Sequence, residues 1–415
     1  MKKTSTLRKS AGLVAALLLT ASWFSPMQQT LRRMPDTLSL TAQQLDSLDL
    51  GGLTLTGAAA PAAASENETL AEAAGAAQAS GSTDMILSLL GIPLKKVEVR
   101  ISPEKRLIPG GQALGVAMRT DGVLIVGLSD AAEGVSPAKS AGLAAGDVIR
   151  SVDGTDVTTS EGLSELVNRS GGRPVMIAYD RQGEHRTALL TPHRDEATGA
   201  VRLGAWVRDS TAGVGTLSFY DPDTGKYAAL GHAITDGDTG SVLSVSEGQV
   251  LRAEIVAVQK GQKGAPGELK GSFLREGEVL GDIRRNSILG IYGSLEEDAA
   301  NPLYPDGLPI GLRSGVHTGA ATILASVDGT GVHEYAIEIT RVNPQTAPAP
   351  KSMVIRVTDE RLLAATGGIV QGMSGSPIIQ DGRIIGAVTH VFVSSPDQGY
   401  GVYIDWMLEE TNKIE

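Results

Sequence analysis

A chain of 415 residues has room for two or three domains, and 51 glycines with only 4% aromatics suit short strands and tight turns better than large helical cores. Its 36 basic and 47 acidic side chains give a net charge of −11, and no basic patch is interleaved with aromatics, so nucleic acid is excluded as a partner. There is no cysteine, which excludes disulfides, thiolate metal sites and cysteine catalysis; no metal or other cofactor is expected.

Residues 1–27 read as a signal or anchor segment. Lys2, Lys3, Arg8 and Lys9 form a basic start, and the apolar stretch Ala11–Phe24 is the length of a signal-peptide core and short for a full membrane crossing. No small-x-small site precedes Pro26, so cleavage and retention as an anchor both stay open. Residues 28–94, rich in Ala, Gly and Ser over 51–84, read as a flexible spacer that buries little.

Residues 95–195 read as one small α/β unit. Val97–Ile101 alternates as a strand, Val123–Leu128 is a continuous apolar run, and Ser136–Gly142 is a short helix. Asp147–Val152 is a strand closed by an Asp153-Gly154 turn. Ser160 is the expected N-cap of a helix over Glu161–Arg169, ahead of a final strand pair, Pro174–Tyr179 and His185–Leu190. The order of helix, Gly turn, strand, Asp-Gly turn and strand (AGLAAGDVIRSVDGTDV) resembles a PDZ domain. In such a domain Ile108–Val116, with Ile108, Gly110 and Gly111, stands where backbone N–H groups hold a peptide carboxylate. Leu163 and Leu166, with Val167, would line a groove for an apolar side chain.

Residues 200–415 read as nearly all β. Thr216–Tyr220 and Lys226–Leu230 flank the turn Asp221–Gly225, a strong hairpin signal, and further short strands follow at close spacing, with a last helix over Trp406–Asn412. The segment 290–314 is rich enough in Gly and Pro to join two barrels. The stretch IVQGMSGSPIIQDGRIIGAV, Ile369–Val388, places Ser374 inside a glycine-framed turn between strands. A serine there is exposed, and the N–H groups of Gly372 and Ser374 can converge as an oxyanion hole. That pattern resembles chymotrypsin-like peptidases. A serine nucleophile needs a base, and of the six histidines His232 alone follows an early hairpin strand, well before the serine. His390 lies on the wall strand after the nucleophile and reads as structural or substrate-facing. For the acid, general topology favours Asp282, tens of residues after His232, while Asp359 lies 15 residues before the serine.

Residues 95–410 as a whole are similar to the SpoIVB peptidase family of spore-forming bacteria. The resemblance is carried by Ile108–Val116, Gly215–Asp236, Thr366–Val393 and Gly399–Leu408, in the order exported N-terminus, PDZ domain, peptidase. It implies a mainly β fold, a PDZ domain followed by a chymotrypsin-like double β-barrel, and a triad of His232, Asp359 and Ser374. It also implies a sporulation signalling protease of the forespore intermembrane space. Such a protease cleaves itself and an inhibitory membrane-protein regulator, which triggers sigma-factor processing. The rival is a non-catalytic PDZ scaffold with a protease-like domain. The pocket floor is expected near Gly368 with Thr389–Val393 as a wall, Val391 and Phe392 shaping it. Neither piece carries a carboxylate, so a small or apolar residue is expected before the scissile bond.

Overall fold

The computed structural model describes residues 37–40, 53–57, 82–89, 92–101, 105–272 and 279–414, which fall into two units, Met1–Lys105 and Arg106–Glu415. The expected signal or anchor segment lies outside the described residues. Among those described, no helix is long and apolar enough to cross a membrane.

The first unit is a four-stranded sheet of β1 (Thr37–Leu40), β2 (Thr54–Gly57), β3 (Thr83–Leu89) and β4 (Ile92–Ile101), in the order β1-β4-β3-β2. Alternation builds its core. Met85 and Leu87 of β3 and Val97 and Val99 of β4 are buried, as are Leu38, Leu53 and Leu55. Two expectations are corrected here. The stretch 28–94 is more than spacer, since it supplies three strands, although its most Ala-rich part lies outside the described residues. Val97–Ile101 is no PDZ strand. It is the second arm of a hairpin whose register runs from Thr83↔Val99 to Leu89↔Ile92, and this adjacent partner wins over a distant one.

The second unit opens with β5 (Arg106–Pro109) and β6 (Ala113–Leu128). Then come α1 (Pro137–Ser140), β7 (Val148–Val152), β8 (Thr155–Asp156), α2 (Ser160–Arg169), β9 (Val175–Arg181) and β10 (Glu184–Leu190). Strands β10-β9-β7-β6 form a sheet under α2, and Val123, Ile125, Ile149, Val152, Leu163, Val167 and Ile177 fill the space between. Helix α2 starts one residue earlier than expected. Thr159 is its N-cap, with Oγ1 accepting the Gly162 N–H at 3.0 Å, because Ser160 is turned to the Asp209 carboxylate.

After the short pair β11 (His193–Arg194) and β12 (Val201–Arg202), the chain enters β13 (Ala205–Asp221), a single strand of 17 residues. It pairs with β6 from Ala205↔Leu128 to Thr216↔Ala113. The first half of β13 therefore extends the PDZ sheet, with Ala205 and Val207 packed on its core. The second half turns back through Asp221–Gly225 into β14 (Lys226–Ala229), the hairpin the sequence foretold; the Asp221 carbonyl accepts the Gly225 N–H at 2.9 Å. Next come β15 (Val245–Arg252), β16 (Glu254–Gln259), β17 (Glu268–Ser272), β18 (Val279–Asp282), β19 (Arg285–Ser287), β20 (Gly290–Ser294) and β21 (Leu308–Pro309). Strand β15 takes the other edge of β6, so residues 114–119 of β6 have a partner on both sides. PDZ and first peptidase half thus share one sheet rather than meeting as separate modules.

The second peptidase half is a closed barrel, β22-β23-β24-β27-β26-β25. Its strands are β22 (Gly319–Ala325), β23 (His333–Val342), β24 (Met353–Val357), β25 (Pro377–Gln380), β26 (Arg383–Phe392) and β27 (Ser395–Tyr403). Helix α3 (Glu360–Thr366) precedes the Ser374 turn and α4 (Ile404–Thr411) closes the chain, as expected near that position. Ile323, Ile337, Ile339, Ile355, Ile378, Ile384 and Val402 are inward residues of this barrel. Residues 290–294, expected in a linker between barrels, are strand β20 and pair with β14.

Candidate active site

Gly372 and Gly375, on either side of Met373 and Ser374, have φ of 97° and 99°, a region side chains avoid. The turn is tied by Met373 N–H to Val370 O at 3.1 Å and Ser376 N–H to Met373 O at 3.0 Å. Gly375 is also required by contact: a Cβ there would lie 2.1 Å from Thr216 O and 2.6 Å from Leu230 N. Thr216, on β13, grips the turn at two points. Its N–H donates to Ser374 O at 3.0 Å and its hydroxyl to Gly372 O at 2.7 Å. The Gly375 N–H donates to Val388 O at 2.8 Å, and the Ser374 hydroxyl donates to Thr389 O at 2.8 Å.

The histidine turn is built differently. Strand β14 ends in a tight reversal, with Gly231 N–H on Ala229 O at 2.9 Å and Leu230 at φ 70°, which a leucine rarely adopts. Buried packing of Leu230 holds it there, and Gly215 leaves the room: a Cβ at 215 would lie 2.0 Å from the Leu230 side chain. His232 follows. Its Nδ1 is 2.8 Å from Ala233 O. Burial pushes the imidazole below the ordinary histidine value, and the carbonyl works against that shift.

The two turns meet over Val388–Thr389. A Cβ on Gly231 would lie 3.1 Å from both Val388 O and the Thr389 methyl, while Gly375 and Ser374 bond the carbonyls of the same two residues. His390 comes next, its ring 5.0 Å from that of His232. Burial, with the like charges of His232 and Lys351, holds its imidazole down to about 4.

Neither candidate acid reaches His232. Asp359 caps α3, accepting from Arg361 N at 2.9 Å, accepts the Ala336 N–H at 3.2 Å, and pairs with the Arg361 guanidinium at 2.7 Å. The Arg361 bond and these N–H groups hold its carboxyl down to about 2. Asp282 pairs with Arg284 at 2.7 Å and accepts the Ser294 N–H at 2.7 Å. Among the described residues the one hydrogen bond of the His232 ring is to the Ala233 carbonyl.

The expected peptide-binding residues are likewise dispersed. Ile108 pairs with Tyr220 of β13, and the N–H groups of Gly110 and Gly111 are already bonded to Ser218 O and Leu217 O at 3.0 and 2.8 Å. They belong to the peptidase sheet and have no N–H free for a carboxylate. Leu163 is PDZ core, with Leu166 half-buried against it. Among the described residues no group of three or more His, Asp or Glu is placed to hold a metal.

A glycine-framed serine turn docked on a histidine turn, on a chain whose sheet continues into a PDZ fold, is the layout of PDZ-bearing serine peptidases. The family model of the SpoIVB peptidase S55 matches residues 199–408, half of the chain, and a PDZ-domain model matches residues 113–191. The chain belongs to the SpoIVB peptidase family. A "Probable periplasmic serine endoprotease DegP-like" of Halomonas elongata is 31% identical over 180 residues, covering 41% of this chain and 33% of the relative. The chain thus spans about a third of the length of that relative. Among solved structures, the PDZ domain of an SdrC-like protein from Listeria monocytogenes is 25% identical, over 21% of this chain and 87% of that one, at a TM-score of 0.18. The active form of an M. tuberculosis protease is 16% identical, over 49% and 74%, at 0.27. The HtrA-type protease AlgW with a tripeptide is 15% identical, over 49% and 56%, at 0.27.

Proposed function

We propose that this chain is an exported serine endopeptidase in which Ser374 is the nucleophile, His232 the general base, and the N–H groups of Gly372 and Ser374 the oxyanion hole. The observation that carries the reading is the meeting of the serine and histidine turns over Val388–Thr389. Among the described residues the Gly372 and Ser374 N–H groups donate to no other group, so both are available to a developing oxyanion. In the resting chain the Ser374 hydroxyl rests on Thr389 O, and a bound substrate must draw it toward His232. His232 then takes the hydroxyl proton as Ser374 attacks the scissile carbonyl, and returns it to the leaving amine. Water repeats the sequence on the acyl-enzyme.

Asp359, the acid that the family resemblance implies, caps α3 and pairs with Arg361. Gly368, where a Cβ would lie 2.2 Å from Pro396 O, and half-buried Val391 and Phe392 support a small or apolar residue before the scissile bond. A sharp requirement for Lys or Arg would reverse that reading and point to Asp397, whose backbone lies beside Gly368. Family membership and the periplasmic relative support export; sporulation signalling, cleavage of an inhibitory membrane regulator and self-cleavage rest on the family alone.

A fluorophosphonate probe tests the core of the reading. It should label the chain at Ser374 and leave Ser374→Ala unlabelled. A folded wild-type chain that stays unlabelled and cleaves no peptide would restore the rival, a PDZ scaffold with a protease-like domain.

A further inference from the structure

We propose that Asn286 is a positioning residue for His232, holding the Ala233–Ile234 backbone so that the Ala233 carbonyl keeps the imidazole proton on Nδ1. This rests on the reading of His232 as the base. A carbonyl oxygen only accepts, so the 2.8 Å contact requires Nδ1 to carry the hydrogen, which leaves the lone pair on Nε2. That is the tautomer a serine nucleophile needs. In a Ser-His-Asp triad the buried carboxylate fixes the tautomer and also stabilises the imidazolium that forms. A backbone carbonyl performs the first task and little of the second.

A carbonyl on the next residue orients a ring only if its own peptide is fixed, and here Asn286 fixes it. Its Oδ1 accepts the Ile234 N–H at 2.8 Å, and its Nδ2 donates to Ile234 O and to Leu243 O, both at 2.8 Å. One N–H and two carbonyls facing the side chain settle which end is oxygen. Both amide hydrogens are thus used, and the side chain bonds the peptide units on either side of Ile234, the first of which carries the Ala233 carbonyl. Asn286 is itself anchored by the β19–β20 hairpin, where it opposes Ile291, and Ile291 opposes Ala229 at the end of the strand leading to His232. The nearby carboxylates are committed elsewhere: Asp236 to the Thr239 N–H and hydroxyl and to Arg208, Asp282 to Arg284 and Ser294.

The test reads the tautomer directly, by ring ¹⁵N chemical shifts of His232 in a Ser374→Ala background that cannot turn over. The His232 signal is assigned by its loss in His232→Gln. The parent should show Nδ1–H. Asn286→Ala should move the proton toward Nε2, and in the Ser374 chain it should lower kcat by about 10²-fold with KM little changed, as for a misplaced catalytic group. Asn286→Asp keeps the acceptor for Ile234 N–H but sets a carboxylate against two carbonyls; it should shift the tautomer too, and it serves if the alanine variant does not fold. Asp359→Asn and Asp282→Asn should leave the ¹⁵N pattern as in the parent. An unchanged Nδ1–H signal in a folded Asn286 variant would overturn the proposal, as would a tautomer change caused by Asp359→Asn. The shifts need no turnover, so a chain that hydrolyses nothing would fail the proposed function without deciding this test.

Discussion

The serine turn and the histidine turn lie against the same two residues yet are held by different means. Around Ser374 the sequence supplies the geometry locally: two glycines at positive φ, backbone bonds to Val370, Met373 and Val388, and a closed six-stranded barrel beneath. Around His232 the support is remote. Leu230 sits in a strained reversal that depends on Gly215, and the segment after the histidine is clamped by Asn286, 52 residues away from Ile234. A nucleophile can be set by its own turn, whereas a base must be aimed, and aiming draws on residues far along the chain.

The largest effect expected from breaking this comparison is on the serine side. Ser374→Ala should lower peptide hydrolysis on the order of 10⁴-fold or more, read as kcat/KM on the purified chain, with unchanged circular dichroism. His232→Ala should fall to a similar level. The double variant should be little worse, since the two act as one unit; losses that multiply would separate them.

Gly375→Ala strikes the contact between the turns. A Cβ meeting Thr216 O at 2.1 Å, at a φ of 99°, should cost about 3 kcal/mol in urea denaturation and remove activity as well. Full activity in that variant would show the two turns to be independent.

Asp359→Ala sharpens the contrast from the other direction. The loss of the α3 cap should cost about 1 kcal/mol of stability with only a several-fold loss of rate. A loss matching His232→Ala would return Asp359 to the catalytic unit. Its folded carboxyl is held down to about 2, below the ordinary aspartate value of 3.8, so its stabilisation is present above 3.8 and fades as pH falls toward 2. The smallest effect concerns the base. His232 must be neutral to accept a proton and burial lowers its pKa, so the acid limb of kcat/KM should fall below pH 6.5; a limb above that value would count against a buried, carbonyl-bonded base.

How far the sequence alone reaches follows the same divide. The GMSGS turn, the Asp221–Gly225 hairpin and most PDZ elements after Val123 are local patterns, and the structure keeps them. The family resemblance also carried the fold class. What it could not place were pairings decided at a distance. Val97–Ile101 took its neighbour β3 as partner, and Ile108, Gly110 and Gly111 were drawn onto β13. Asp359 stood at a plausible spacing before the serine, but an aspartate directly ahead of a helix is first of all a cap. Asn286 left no signal, since RRNSILG reads as an ordinary turn; only the folded chain brings its amide to Ile234.

The continuity of β6 and β13 bears on how this chain can be divided. A cut between residues 191 and 199, where one family match ends and the other begins, would separate β6 from β13 and from β15, its partners on either side. Each fragment would then present long unpaired strand edges, which invite self-association. Exchanging the PDZ domain for that of a relative would meet the same obstacle, because the incoming domain would have to supply β6, the strand that joins β13 to β15. Thr216, at the peptidase end of β13, grips the Ser374 turn through both its N–H and its hydroxyl, so the strand shared with the PDZ sheet reaches directly to that turn.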